Sequence, residues 1–339
     1  MGKLAVRESP DSFPFDSREG VSLYRLMRII RRCEEPLNRI YREGKIGGYL
    51  HLYIGQEAIA AGLIPLLRSD DYLLSAYRDH GHAIARGVDP KRIIAELYGR
   101  VTGCSRGKGG SMHIYDTGRN FLGGYGIVGG VVPLAVGVGF AIKYRGGDQI
   151  CVCFFGDGAM NQGAVHEALN MASLFKVPCL FVLENNGYAM GTAVERHSAV
   201  TDFIQRVSYG YGIASERVDG MDLVEVREVA ERAIAYIRKR SAPYFIEAEC
   251  YRYAGHGFSD TAQQQKTYRS DEEIERWKQR DPIEIFGRRL REIGALSSSD
   301  EEEIDAEARR IADEAIDYAE NSPEPPMDEL YEHVFTEAG

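Results

Sequence analysis

The chain has 339 residues, of which 44% are apolar and 27% charged, a balance that excludes disordered, collagen-like and disulfide-scaffold classes. Its 41 Lys and Arg against 51 Asp and Glu leave a formal charge of −10, which argues against a protein held on nucleic acid by its overall field. The length predicts one large domain.

In chain order, residues 1–20 read as a loose leader that lacks the apolar run of a signal peptide and, with Glu8, Asp11 and Asp16, suits no transit peptide. A single domain is expected over 21–339. Val21 to Tyr41 carries apolar residues at helical spacing and predicts a packing helix, and Glu57 to Leu67 predicts a second. Residues 99–130 are crowded with glycine and predict a long functional loop. Val131 to Ile142 is the longest apolar stretch, but Pro133, Gly137 and Gly139 interrupt it and it is too short to span a bilayer, so no membrane role is expected. Ile150–Phe155 and Pro178–Glu184 predict strands buried on both faces, with a helix between them through Val165, Leu169, Ala172 and Phe175. A helix over Leu223–Ile237 and a strand over Tyr244–Ala248 follow, so an α/β fold with a parallel sheet flanked by helices is expected. The segment from about 270 to 339 predicts charged helices, with capping boxes at Ser270/Glu273 and Ser299/Glu302, a start at Pro282 and a stop at Ser322-Pro323. Six cysteines without a CxxC pair fit a reducing cytoplasm.

Gly124-Tyr125-Gly126-Ile127-Val128-Gly129 satisfies GxGxxG, but Arg119-Asn120 rather than an evident strand precede it, which disfavours a dinucleotide site. His80, His82, His113 and His166 have no zinc spacing and read as polar-loop histidines, with Cys151 and Cys153 as core residues on one face of a strand. The informative pair is Gly156-Asp157-Gly158 at one strand end and Asn185-Asn186 at the next. Such a turn brings backbone amides to a phosphate while Asp and Asn oxygens reach a hard cation, which suits Mg²⁺ clamping a diphosphate. By residue chemistry alone, an Asp and an Asn that merely form turns are the other reading.

The same motifs resemble the thiamine diphosphate-binding signature, and the text around them resembles the α subunits of the first component of 2-oxo acid dehydrogenase complexes. The matching segments run from HLYIGQEA (51–58) through YRDHGH (77–82), RGKGGSMH (106–113), GGYGIVGG (123–130), FGDGAMNQG (155–163), ENNGYAMGTAVER (184–196), VDGMD (218–222) and YRYAGHG (251–257) to SPEPPMDEL (322–330). GKGGSMH and GTAVER look most like the pyruvate dehydrogenase members, with acetoin dehydrogenase and then the branched-chain 2-oxo acid enzymes as alternatives.

The resemblance implies a thiamine diphosphate-binding fold and the acetyl-transferring oxidative decarboxylation of pyruvate. It implies Mg²⁺ held by Asp157, Asn186 and the carbonyl of Tyr188, and diphosphate contacts from Tyr77, Arg78, Gly158 and Ala159. It further implies that Gly126 and Val128 offer backbone groups to the aminopyrimidine, and that His51 and His256 line the substrate entrance as catalytic residues. The partners it implies are a β subunit in an α₂β₂ heterotetramer, which supplies the carboxylate that activates the aminopyrimidine, the lipoyl domain of a dihydrolipoyl acyltransferase, and a small 2-oxo acid. Where mammalian members carry a phosphorylated Ser after the histidine of YRYxGH, this chain has Gly257, with Ser259 nearby.

Overall fold

The computed structural model describes residues 15–332. Residues 1–14 of the expected leader, and 333–339 of the expected C-terminal segment, lie outside the described residues. The first helix starts earlier than its apolar spacing predicts, at Ser17–Glu34, because the Asp16 carboxylate caps it by accepting from the Glu19 amide at 2.9 Å. Pro36 ends what reads as one helix: it offers no N–H, and a separate short helix, Leu37–Arg42, follows. In the same way the second predicted helix stops at Leu63 and passes into a 3₁₀ turn containing Pro65.

Six strands of the described residues form one parallel sheet: β1 (Tyr72–Ala76), β2 (Phe121–Tyr125), β3 (Cys151–Gly156), β4 (Cys179–Asn185), β7 (Ala214–Asp219) and β8 (Tyr244–Glu249). Between them, β5 (Tyr188–Ala189) and β6 (Thr192–Ala193) make a small hairpin. The sheet order is β2-β1-β3-β4-β8-β7. Strand β3 shows why the central strands read as unbroken apolar runs. Val152 and Phe154 face one core, while Cys151, Cys153 and Phe155 face the other. The six cysteines are free.

The helix Val131–Tyr144 runs continuously through its two inner glycines. Gly139 is there for contact: a Cβ would stand 2.4 Å from the Cys179 sulfur, so its absence lets the helix lie on β4. No helix of the described residues is long and apolar enough to cross a membrane.

The chain steps from β1 to β2 on one side and from β3 to β4 on the other. Their carboxyl ends therefore open a crevice at the point where the winding reverses, the place where such sheets hold ligands.

The glycine-rich segment lies across this end and carries an edge strand, β2, that its composition hides. Its first part is organised around one buried side chain. Glu96 Oε2 accepts from the amides of Ser105 (2.7 Å) and Gly107 (2.9 Å), and Oε1 from those of Gly109 (2.7 Å) and Gly110 (3.2 Å). Four converging amides make an anion nest, and the chain's own carboxylate fills it. The C-terminal segment straps the same loop through Thr102 to Ser322 (2.7 Å) and Lys108 Nζ to Glu329 Oε2 (3.2 Å). The long final helix, Ser298–Asn321, stops before Pro323 as predicted, but its capping box is Ser297/Asp300, two residues ahead of the expected pair.

Candidate active site

The crevice holds a cavity of about 340 Å³, and every residue to which the resemblance gives a site role lines it: His51, Tyr77, Arg78, Gly126, Val128, Asp157, Gly158, Ala159, Asn186, Tyr188 and His256. Strand geometry explains the convergence. Tyr77 and Arg78 follow the end of β1, Asp157 follows β3 and Asn186 follows β4, so three neighbouring strands deliver their next residues to one place.

Gly126 follows directly on β2, and the helix Val131–Tyr144 comes next. The strand expected to be missing before GxGxxG is therefore present, a correction to the sequence argument against a dinucleotide site. It went unseen because FLGGY has two glycines and occupies an edge.

At the β3 and β4 ends, Asp157 and Asn186 are 1% and 8% exposed. Asn186 Nδ2 donates to Gln56 Oε1 at 3.1 Å, which turns Oδ1 inward, where it is buried without a partner. Among the described residues the Asp157 carboxylate meets one hydrogen-bond donor, His197 Nε2 at 3.2 Å. Gly187, at φ +83°, makes the turn that lets Asn186 and Tyr188 both reach the cavity. The Tyr188 hydroxyl donates to Glu273 at 2.9 Å, leaving the main chain to serve the site. A buried carboxylate, an unpartnered amide oxygen and a nearby carbonyl are hard-oxygen donors that fit Mg²⁺. Among the described residues, no group of three or more His, Cys, Asp or Glu is placed to hold a metal.

Opposite them the field is positive. The Arg78 guanidinium is buried and, among the described residues, donates only to carbonyls, Leu52 O at 2.5 Å and His256 O at 3.0 Å. A desolvated guanidinium without a carboxylate at hydrogen-bond distance calls for an anionic ligand. Gly158 serves close approach: a Cβ there would lie 2.8 Å from that of Ala189.

His51, Tyr77 and His256 cluster at the mouth, with His51 4.6 Å from Tyr77 and 5.1 Å from His256 between ring centroids. Burial, reinforced by the Arg78 cation, pushes the His51 imidazole down to about 3 and that of His256 to about 2. Both rings are neutral at physiological pH, and His51 Nδ1 is unpartnered. The His51 main chain is held from below. Its amide donates to Ser111 Oγ (3.4 Å), which His80 Nε2 meets at 3.0 Å; Glu34 Oε1 bonds His80 Nδ1 (2.5 Å), and Glu34 Oε2 accepts from the Tyr53 amide (2.6 Å).

His80 and His82 are thus buried in the short helix His80–Ala85 rather than in a polar loop. His82 Nε2 bonds Glu184 Oε1 at 3.0 Å, and the Tyr53 hydroxyl donates to the same oxygen at 2.5 Å. Glu184, Gln56 and His197 were not singled out from sequence. Glu184 precedes the Asn pair, a signal that was there to use, whereas nothing local marks the other two.

Asp79, fully buried beside His80, is raised to about 7 by burial, which outweighs the pull of His80 and of the Ile114 amide. The folded state therefore holds a proton that the unfolded chain has lost. Stability is lost as pH rises from about 4 to about 7 and levels off above. The stability gain of Asp79→Asn over wild type should grow by about 1.4 kcal/mol per pH unit in that window, read by urea unfolding at pH 5, 6 and 8. A difference that does not vary with pH would show that Asp79 is not the group involved.

The profile of the family described as "Dehydrogenase E1 component" matches residues 25–328. The chain is 43% identical over 317 residues to the pyruvate dehydrogenase E1 component subunit alpha of Rickettsia bellii, covering 94% of this chain and 96% of that one. It is 44% identical over 321 residues to the protein of the same name from Rhizobium meliloti, covering 94% and 91%. Against the somatic, mitochondrial form of Homo sapiens it is 44% identical over 333 residues, covering 98% and 83%.

Proposed function

The chain belongs to the dehydrogenase E1 component family, and from that membership we propose that its cavity serves the oxidative decarboxylation of pyruvate, with reductive acetylation of the lipoyl group of dihydrolipoyl acetyltransferase. The chain acts as the α subunit of a pyruvate dehydrogenase E1 component, an oxidoreductase that uses thiamine diphosphate and works with a β subunit. One observation carries the assignment of the cavity. A buried guanidinium lacking a carboxylate partner faces a buried carboxylate and an unpartnered amide oxygen, an arrangement that suits a diphosphate bridged by a divalent cation.

In this reading Asp157, Asn186 and the Tyr188 carbonyl hold Mg²⁺, while Tyr77, Arg78, Gly158 and Ala159 bind the diphosphate and Gly126 with Val128 receives the aminopyrimidine. An α₂β₂ heterotetramer, a lipoyl domain as acyl acceptor and a cytoplasmic location belong to it as well; six unpaired thiols support the last. Thiamine diphosphate, when bound, supplies the sink for the electron pair released with CO₂. The chain's own residues orient the reacting groups around it. The neutral rings of His51 and His256 can each donate one hydrogen bond and accept another, and His51 can donate to the substrate carboxylate.

The substrate test compares kcat/KM of the reconstituted heterotetramer for pyruvate, 2-oxobutanoate, 3-methyl-2-oxobutanoate and acetoin. Pyruvate should lead, and a clear preference for acetoin overturns the reading. His51→Ala should lower kcat/KM for pyruvate by roughly 10- to 100-fold, the scale of a hydrogen bond to a charged group, and cost acetoin less. His256→Ala should leave cofactor affinity within a few-fold while lowering complex turnover about 10²-fold, measured as pyruvate-dependent lipoyl reduction. Wild-type turnover in that variant removes His256 from the chemistry.

A further inference from the structure

The segment after the Asn pair turns back over the GDG turn. The β5–β6 hairpin leads into the short helix Val194–His197, held by the Val194 amide to Gly187 O at 3.1 Å. This fold-back sets His197 against Asp157, Nε2 to Oδ2 at 3.2 Å, with the imidazole only 13% exposed.

Which ring nitrogen carries the proton follows from the neighbours. Arg206, a donor only, bonds Asn161 Oδ1 from Nη2 at 3.1 Å, which fixes the orientation of the Asn161 amide. The amide nitrogen then faces His197, 3.1 Å from Nδ1 and 2.8 Å from the His197 carbonyl. Asn161 Nδ2 also donates to Ser198 Oγ at 2.9 Å, and these two shorter contacts use both amide hydrogens. The Ser198 hydroxyl lies 3.0 Å from His197 Nδ1, to which it can give its hydrogen. The Asp157 carboxylate only accepts, so the ring proton that faces it sits on Nε2 and is donated to Oδ2.

We infer that His197 is a positioning residue for the divalent-cation site: its fixed Nε2–H holds Asp157 Oδ2 and leaves Oδ1 directed at the metal. The inference rests on the reading of Asp157 as a Mg²⁺ ligand. Partners that orient a metal ligand in this way typically set affinity by 10- to 100-fold. Arg206 and Asn161 act one step further out, by holding the His197 carbonyl and the Ser198 hydroxyl in place.

The test uses the heterotetramer reconstituted with its β subunit and stripped of cofactor. Calorimetric titration of thiamine diphosphate at graded MgCl₂ gives the Mg²⁺ concentration for half-maximal binding. His197→Ala should raise it about 10- to 100-fold, with the thermal midpoint of the stripped complex unchanged. His197→Gln, whose amide nitrogen can donate from a similar place, should return it to within a few-fold of wild type. An unchanged Mg²⁺ requirement in His197→Ala overturns the inference, and so does a His197→Gln as weak as the alanine variant. Asp157→Ala is run alongside. If it too leaves the requirement unchanged, the metal-ligand reading has failed rather than the role of His197.

Discussion

Asp157→Ala should abolish tight thiamine diphosphate binding, by about 3 kcal/mol or more, which is a hundredfold or greater loss of affinity. The carboxylate is 1% exposed, and its one hydrogen-bond partner among the described residues is His197, so in the proposed site its charge is spent on the cation. Removing it leaves the metal with Asn186 Oδ1 and a carbonyl, neither of them charged, and the diphosphate loses the counter-charge opposite Arg78. Calorimetry on the heterotetramer at fixed Mg²⁺ reads the effect directly. Affinity within a few-fold of wild type would remove Asp157 from the site.

The purified chain, given thiamine diphosphate and Mg²⁺, should not turn over pyruvate, and activity should appear when the β subunit is added. The carboxylates lining the cavity are Asp157 and Glu184. Glu184 Oε1 is already engaged by Tyr53 and His82, and Asp157 is assigned to the metal. Neither is free to activate an aminopyrimidine beside Gly126 and Val128. The rim there is also unfinished: Ile127 and Val128 are 78% and 42% exposed, an apolar lip suited to another protein surface. A missing acid–base group costs 10²- to 10⁴-fold by itself, so dye reduction by the lone chain should fall at least that far below the complex. Turnover by the lone chain at the rate of the complex would mean that its carboxylates had been misassigned.

The central strands β3 and β4 were legible because both of their faces are buried, and the motifs at their ends hold Asp157 and Asn186, which line the cavity. The edges were not legible. β7, ASERVD, buries one residue of its six, so no alternation or apolar run marks it. β2 carries two glycines, one of them Gly124, where a Cβ would stand 1.9 Å from Asp79 Oδ2. Packing against a buried carboxylate chose that residue, and packing is not written in local propensity. The same limit separates the site residues that were found from those that were missed. Asp157 and Asn186 belong to short motifs, whereas His197 and Gln56 act on them from distant positions in the chain through folded geometry alone.

Glu96 gives the glycine-rich segment a history as well as a shape. A Cβ at Gly103 would lie 2.3 Å from Glu96 Oε2, and one at Gly109 2.3 Å from the His113 carbonyl, while four amides of the segment depend on the one carboxylate. Exchange of Glu96 strands all four amides, and exchange of a glycine displaces its neighbours, so the segment can drift only as a block. A run of glycines suggests licence to move and to vary. Here it is a lock whose key is carried by the preceding helix, and the chain that leaves it supplies Met112 to the wall of the cavity.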